Sequence, residues 1–278
     1  MAQSETLQER VLQPNQKWFY IDWRGIVEYR DLLYLMVRRD FIAIYKQTIL
    51  GPLWFVLQPL LLTAIFTVIF GMFAKISTEG VPGPIFYLGG LTLWNYFAQL
   101  LQGAGNSLTQ NQDIYKKVYF PRVIIPASIT LSKMIALGIQ LVLFLGLLAL
   151  FRYVFASGST FGMNPTALLL PVLVLHVAVL GLGVCLWLSA LTAKYRDFQF
   201  LLPIIIQVWM YATPIIYPFS MVPEALRPLV ALVNPMAPVV EAFKYAFLTE
   251  AGSLNGLYYA ISVVVTLLIF VSGVMVFQ

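Results

Sequence analysis

Long uncharged apolar segments alternate along the chain with short segments that carry the charge. Six segments contain no Lys, Arg, Asp or Glu, and they cover 47–74, 80–112, 134–151, 153–193, 198–223 and 251–278. A helix that crosses the hydrocarbon of a bilayer needs about 20 apolar residues. Each segment supplies such a stretch, provided that the third begins upstream of Lys133. The pattern predicts an all-α integral membrane protein, a single domain over 1–278 with six transmembrane helices near 53–75, 86–108, 126–151, 167–192, 201–217 and 255–277.

The composition excludes several other classes of protein. Apolar residues make up 60% of the chain and charged residues 10%, whereas a soluble domain carries about 25% charged residues. The hydrophobicity is too high for a disordered chain, no Gly-X-Y repeat indicates a collagen-like fibre, and Cys185 has no second cysteine to pair with. The first 16 residues are polar, so we expect no cleaved signal peptide and a cytoplasmic N-terminus.

The distribution of basic residues predicts the orientation of the chain. With the N-terminus inside, thirteen of the 17 Lys and Arg residues lie on the inner side, and four remain outside: Lys75, Arg152, Arg227 and Lys244. Cytoplasmic loops of membrane proteins retain positive charge, so this asymmetry supports a cytoplasmic N-terminus. It also accounts for the net charge of +5, and no nucleic-acid partner is needed to explain it.

The cytosolic segment 1–50 contains a predicted amphipathic helix. Between residues 25 and 46, apolar residues recur at three- and four-residue spacing, opposite a polar side. The apolar set is Ile26, Tyr29, Leu33, Met36, Val37, Phe41 and Ile44. This spacing is typical of a helix that lies in the membrane interface, here along the inner leaflet before the first span. The alternative is a soluble helix that caps the cytosolic side.

The inner loop 109–122, TQNQDIYKKVYFPR, mixes charged and aromatic residues. If helical, it would present Ile114, Tyr115, Val118 and Tyr119 beside Asp113, Lys116 and Lys117. Such a mixture is suited to docking a cytosolic protein. The residues fit a second interpretation equally well, in which the lysines only mark the inner side and the tyrosines lie at the interface.

The outer segment 218–250 is too apolar for a solvated loop and is interrupted by prolines, which remove backbone donors. We predict two short helices near 223–233 and 236–248, joined at Asn234-Pro235. Irregular backbone at membrane depth survives only when it is buried in protein or lines a wet cavity, so a re-entrant hairpin here would act as a gate. Glu241 and Lys244 are three residues apart, and the simpler interpretation is a helical ion pair.

The motifs of catalysis are missing from the sequence. His176 is the only histidine, no Gly-Lys dipeptide exists for a Walker A loop, and no G-x-S-x-G turn is present. Asp113, Asp197 and Glu224 flank the predicted spans, which argues against a buried acid relay for protons. We therefore expect no catalytic residue, metal or cofactor on this chain, and any pumping requires energy from a partner.

Aromatic residues cluster toward the outer half of the spans. Phe66, Phe70 and Phe73 form a stripe on the first span, and Tyr87 and Tyr217 lie at similar depth on the second and fifth. Aromatic residues often form belts at membrane interfaces. The alternative hypothesis is that their flat apolar faces contact the C–H faces of sugar rings in a sliding polymer.

Several short motifs occur in a specific order relative to the six predicted spans. They are Arg39-Asp40, Tyr45-Lys46, Leu50-Gly51-Pro52-Leu53-Trp54, Asn111, Lys117, Phe120-Pro121-Arg122, Pro126, Tyr195-Arg196-Asp197, Thr213-Pro214-Ile215, Tyr217-Pro218, Val222-Pro223, Asn234-Pro235-Met236 and Glu241. In this combination the chain resembles the membrane subunit of bacterial ABC-2 type exporters. The resemblance is to the branch that moves O-antigen, capsule or teichoic acid polysaccharide across the inner (cytoplasmic) membrane.

The resemblance implies a homodimer that encloses a channel and is bound from the cytosol by two copies of an ABC ATPase. ATP and Mg would then be held by the ATPase and not by this chain. The implied ATPase-coupling residues are Asp113, Tyr115, Lys116, Lys117, Phe120 and Arg122. The first and fifth spans would line the channel, and the implied contacts of the lipid-linked polysaccharide, with O-antigen favoured, are Phe66, Phe70, Phe73, Tyr87 and Tyr217.

The resemblance further implies a periplasmic gate hairpin over 218–250. Its residues would be Pro223, Asn234, Pro235, Glu241 and Lys244. Many family members have Arg where this chain has Lys244, which keeps the charge but not the planar two-pronged hydrogen bonding.

Three other functions stay open at this point. An ABC-2 exporter of a drug or small lipid would share the architecture. A membrane enzyme that acts on a lipid-linked sugar would need paired acids, histidines or a metal, and the acids here are scattered. A passive channel would have no ATPase partner.

Overall fold

A computed structural model of the chain describes residues 27–46, 48–110, 120–155, 162–195, 197–249 and 251–277. Within these ranges all regular structure is helical and no strand occurs, which confirms the predicted all-α class. The α-helices are α1 (Arg30–Tyr45), α2 (Trp54–Phe66), α3 (Gly83–Gln110), α4 (Ile124–Leu150), α5 (Leu170–Lys194), α6 (Phe198–Ala212), α7 (Arg227–Val233), α8 (Met236–Leu248) and α9 (Gly256–Phe277). Single 3-10 turns cover Gly51–Leu53, Pro165–Leu169, Phe219–Met221 and Glu224–Leu226, and π-helical turns extend α2 over Thr67–Phe73 and α4 over Phe151–Phe155.

Four helical segments of the described chain are long and apolar enough to cross a membrane: Gly51–Phe73, Ile124–Val154, Pro165–Lys194 and Gly256–Phe277. There is a fifth candidate span if α7, the turn Glu224–Leu226 before it and α8 are counted together as one broken span. The chain is therefore a multi-pass membrane protein. The prediction of six spans is not confirmed, because α3 is not among these segments and α6, at 15 residues, is too short.

The position of α3 explains why its sequence is less apolar than that of the other long helices. This helix of 28 residues packs against α2, α4, α5, α6 and α8. Its large side chains, among them Phe86, Leu91, Tyr96 and Phe97, are almost completely buried. Because protein surrounds α3, its surface is not required to match hydrocarbon, and polar residues such as Thr92 are accommodated by bonding to the helix itself.

Helices α5 and α9 pack closely through small residues. A Cβ atom built on Gly183 of α5 would lie 2.8 Å from the Phe270 Cα of α9. On α9, a Cβ atom at Gly273 would lie 2.5 Å from the Gly183 carbonyl oxygen. Glycine at both positions lets the two backbones approach, as small residues do at helix contacts inside membranes.

Helix α1 confirms the predicted N-terminal helix within the described residues. It packs against α4, and its Met36 side chain is buried there. The Phe41 ring stacks on Phe55 of α2 with the ring centroids 6.2 Å apart. The predicted apolar side of α1 thus contacts the protein. Its place in the membrane interface stays a prediction.

Helices α7 and α8 meet at an angle of 110°. The bend, called the elbow below, consists of Asn234 and Pro235. Helix α7 ends with the hydrogen bond from Asn234 N to Val230 O (2.8 Å), and proline at the next position cannot donate another. Two short helices and their elbow are therefore present at the predicted place. Re-entry of this hairpin into the membrane belongs to the functional proposal.

Candidate functional site

The elbow is fastened to the end of α6 through the buried side chain of Asn234. Its Oδ1 atom accepts a hydrogen bond from Trp209 Nε1 (2.9 Å), and its Nδ2 donates to Thr213 Oγ1 (2.9 Å) and to Ala212 O (3.2 Å). The same Oδ1 also accepts from Met236 N (3.2 Å) and so caps the start of α8. Asn234 uses both its donor and its acceptor groups, which holds the hairpin in a defined position against α6.

The other side of the elbow is fastened to α9, which is itself linked to α5. Ser262 Oγ on α9 donates to the Pro235 carbonyl (2.6 Å) and lies 3.3 Å from His176 Nε2 on α5. The same imidazole nitrogen is 2.9 Å from Thr266 Oγ1. The only histidine is therefore a packed polar link between two helices. Among the described residues, no group of three His, Cys, Asp or Glu side chains lies together as a metal site would require.

Glu241 and Lys244 form the predicted ion pair, but the pair is buried. The Lys244 Nζ atom lies 3.9 Å from Glu241 Oε1, and the side chains are 0% and 4% exposed. Lys244 Nζ donates to the Pro214 carbonyl (2.6 Å) and lies 3.8 Å from the centre of the Phe86 ring. The ammonium group therefore joins α8 to the chain after α6 and to α3. A buried charge without such partners is strongly destabilising.

Glu241 joins α8 to the connection before α9. Its Oε2 atom accepts a hydrogen bond from Ser253 N (3.2 Å). This approach depends on Gly252, which has φ of 144° and lies so close to α8 that a Cβ atom there would be 2.5 Å from Tyr245 N. Only glycine combines that backbone angle with that lack of space.

The other carboxylate oxygen of Glu241, Oε1, has no comparable hydrogen bond to any of the described residues. Glu241 also lines a cavity of about 10 Å³ together with Phe219, Pro238 and Tyr258. This volume is close to the minimum that accommodates one water molecule.

The predicted gate residues thus separate into two groups. Asn234, Pro235, Glu241 and Lys244 lie in the buried interior of the hairpin and fasten it to α3, α6 and α9. Pro223 is exposed and lies in the turn before α7, where its carbonyl accepts a hydrogen bond from Leu226 N (2.9 Å).

Three of the five predicted channel-lining residues come together in one cluster. The Phe66 ring contacts Phe70 and Tyr87 edge to face, with centroid distances of 5.3 and 6.2 Å. Phe66 and Tyr87 are buried within the chain, whereas Phe73 is 80% exposed and lies outside the cluster. Tyr217 is half-buried and its hydroxyl donates to Ala212 O (3.4 Å). The lining role stays a prediction, and Phe70, Phe73 and Tyr217 are the members with free surface.

Most of the predicted ATPase-coupling residues lie outside the described residues: Asp113, Tyr115, Lys116 and Lys117. Phe120 and Arg122 follow directly. Phe120 is buried and belongs to the main apolar core, and Arg122 is exposed just before α4. Phe120 is thus covered by its own chain and Arg122 has free surface, and the ATPase-coupling role of both stays a prediction.

Several residues of the site were not predicted from the sequence. Trp209, Ser262 and Gly252 each make a contact that fixes the hairpin. In the sequence Trp209 and Ser262 are isolated residues of apolar segments, and no spacing distinguishes them. Gly252 carried a weak signal, because a glycine in the connection between two helices can adopt backbone angles that other residues rarely adopt.

The comparison with known families decides the assignment. The family described as ABC-2 type transporter matches residues 31–248, from α1 to the end of α8. The chain belongs to this family.

Individual ABC-2 relatives are similar over most of their length. The O-antigen export system permease protein RfbA of Myxococcus xanthus is 29% identical over 228 residues, which is 81% of this chain and 83% of the relative. A protein of the same name from Klebsiella pneumoniae is 28% identical over 251 residues, 89% of this chain and 91% of the relative. The polysialic acid transport protein KpsM of Escherichia coli is 26% identical over 226 residues, 79% of this chain and 83% of the relative.

Proposed function

We propose that this chain is the membrane-spanning permease subunit of an ABC exporter that moves a lipid-linked polysaccharide, with O-antigen favoured, from the cytoplasm to the periplasm. One observation carries the proposal. Relatives from three organisms are similar over 79–89% of this chain, and each is named as a permease or transport protein for a polysaccharide. The family match over residues 31–248 includes the elbow and the buried ion pair.

The energy for export comes from a separate ATPase in this proposal. The sequence has no Gly-Lys dipeptide and hence no Walker A loop. Two copies of the permease form the channel, and two ATPase subunits with their ATP and Mg bind on the cytosolic side. The loop 109–122 is the docking segment, and exposed Arg122 at its end is the contact that we place there.

In the proposed topology α3 and α6 complete six spans and the N-terminus is cytoplasmic, in the inner membrane of a bacterium. Helix α6 has 15 residues, about 22 Å at 1.5 Å per residue, which is short of a hydrocarbon core of about 30 Å. The hairpin of α7 and α8 fills the remaining depth as a re-entrant gate. The internal hydrogen bonds of Asn234 and Pro235 support this placement, because backbone and side-chain polar groups have no water to bind at membrane depth.

A deletion strain of the host provides the test. Loss of the chain should abolish surface polysaccharide and leave lipid-linked polymer inside the cell, and the wild-type gene should restore export. Normal surface polysaccharide together with increased sensitivity to drugs would contradict the proposal and favour a drug exporter. Restoration by the gene without any ATPase would favour a passive channel.

A further inference from the structure

The hairpin contacts the loop after the first span through a side-chain hydrogen bond. The loop covers residues 74–82, between the end of the π-helical turn and the start of α3. Ser220, in the turn 218–226 that precedes α7, donates from its Oγ atom to Glu79 Oε1 at 2.6 Å. The two residues are 141 positions apart in the chain, so this bond joins two separate segments.

The donor side of this bond is held in place by Arg227. Its Nη2 atom donates to the Ser220 carbonyl (3.0 Å) and its Nε atom donates to the Val222 carbonyl (2.9 Å). The Nη1 atom lies 3.6 Å from Glu224 Oε1. One planar guanidinium therefore fixes three points of the turn, and the Ser220 hydroxyl is presented with little freedom.

The acceptor side is held in an unfavourable backbone conformation. Glu79 has φ of 53°, a region that residues with a side chain rarely adopt, and Gly80 follows with φ of 84°. Glu79 N donates to Ser77 Oγ (3.2 Å), and Thr78 Oγ1 donates to the Val81 carbonyl (2.6 Å). Glycine or asparagine would fit this position with less strain. Strain that is kept at a side chain with a specific partner is typical of clamps and switch regions.

The two segments are held by different sets of contacts. The hairpin is fastened to α6 by Asn234, to α9 by the Pro235 carbonyl and to α3 by Lys244. Helix α2 packs against α3 and α4, and it continues through its π-helical turn into the 74–82 loop. The hydrogen bond between Ser220 and Glu79 therefore joins the connection between α2 and α3 to the turn that leads into the hairpin, in addition to the contact of Lys244 with α3.

We propose that Ser220 and Glu79 form a latch that holds the 218–226 turn against the 74–82 loop, and that opening of the pathway requires its release. The second half rests on the proposed function, in which the first span lines the channel and the hairpin closes it. The latch itself is a property of the chain and is tested without transport.

The first experiment measures the separation of the two segments in the full-length protein in lipid nanodiscs. Nitroxide labels are attached at Ala74→Cys and Ala225→Cys, both exposed, and the native Cys185 is buried. Ser220→Ala removes the donor and should increase the population at longer distance about fivefold, the effect of losing one hydrogen bond. Met221→Ala, which changes the exposed neighbour and keeps the hydroxyl, should give the wild-type distribution. A Ser220→Ala distribution identical to wild type would overturn the latch.

The second experiment tests the gating half with the permease–ATPase complex in vesicles. Leakage of a small polar dye without ATP should rise several-fold in Ser220→Ala, and less in Glu79→Gln, because the amide oxygen still accepts the bond. Increased separation of the labels without increased leakage would refute release of the latch as a step of opening. Failure of the proposed function would appear differently, because the wild-type chain would then neither bind an ATPase nor export polymer.

Discussion

Replacing Lys244 with methionine should destabilise the chain strongly, because it leaves a carboxylate buried without its cation. Methionine has similar length and fills the site, so the change removes charge with little change of volume. The substitution removes the 3.9 Å contact with Glu241, the 2.6 Å bond to the Pro214 carbonyl and the cation–π contact with Phe86 at 3.8 Å. Glu241 Oε1 lacks a hydrogen-bond partner among the described residues, and Oε2 keeps its bond from Ser253 N, so the carboxylate retains one donor but loses its cation.

The expected cost follows from the burial of both side chains. Breaking a buried pair by removing one partner costs about 3–5 kcal/mol. For a chain of this size the corresponding fall in Tm is roughly 10 °C. Glu241→Gln with Lys244→Met removes both charges, and this double variant should recover more than half of the loss, since no uncompensated charge remains.

The assay is thermal unfolding of the purified protein in detergent, monitored by fluorescence-detected size exclusion. It compares wild type with Lys244→Met, Glu241→Gln and the double variant. Lys75→Met, which removes an exposed lysine, is the matched control and should unfold like wild type. The reasoning is refuted if Lys244→Met shifts Tm by no more than the control does. It is also refuted if the double variant loses the full sum of the two single losses.

Four further substitutions test the other parts of the site. Asn234→Leu should cost about 2–3 kcal/mol, because Trp209 Nε1 and Thr213 lose a buried partner and α8 loses its cap; unchanged thermal unfolding would contradict the role of the elbow. Gly252→Ala should cost more than about 2 kcal/mol in the same assay, because of its φ of 144° and a Cβ atom 2.5 Å from Tyr245 N, and a stable variant would show that the turn relaxes easily. Arg122→Ala should uncouple ATP hydrolysis from export at normal stability, whereas Phe120→Ala should lower Tm because Phe120 is buried. If the two variants had equal effects on coupling and on Tm, the distinction between exposed Arg122 and buried Phe120 would be refuted.

The elbow illustrates what the sequence predicts well. A run of prolines in an apolar segment, with Asn234-Pro235 between two helical stretches, is a local signal, and the bend occurs there. The pair of Glu241 and Lys244 was also predicted from a three-residue spacing. Its burial was not predicted, because it depends on contacts with Pro214, which follows α6, and with Phe86 on α3. Both residues are distant from the pair in the sequence.

The number of spans shows the limit of the same approach. Absence of charge identifies apolar segments but does not indicate whether lipid or protein surrounds them. Helix α3 lies between five other helices and therefore tolerates polar residues. Helix α6 ends after 15 residues at Ala212, whose carbonyl accepts a hydrogen bond from Asn234. The aromatic stripe gave a similar result, since Phe66 and Tyr87 are covered by their own chain and Phe73 is not.

Mild-detergent purification of the tagged chain from its native membrane, with the mass of the complex and the identity of each subunit, tests the central claim most directly. The account predicts an assembly of two copies of this chain with two copies of a nucleotide-binding ATPase. A stable homo-oligomer that contains no ATPase, obtained under conditions in which a known ABC exporter stays intact, would contradict it.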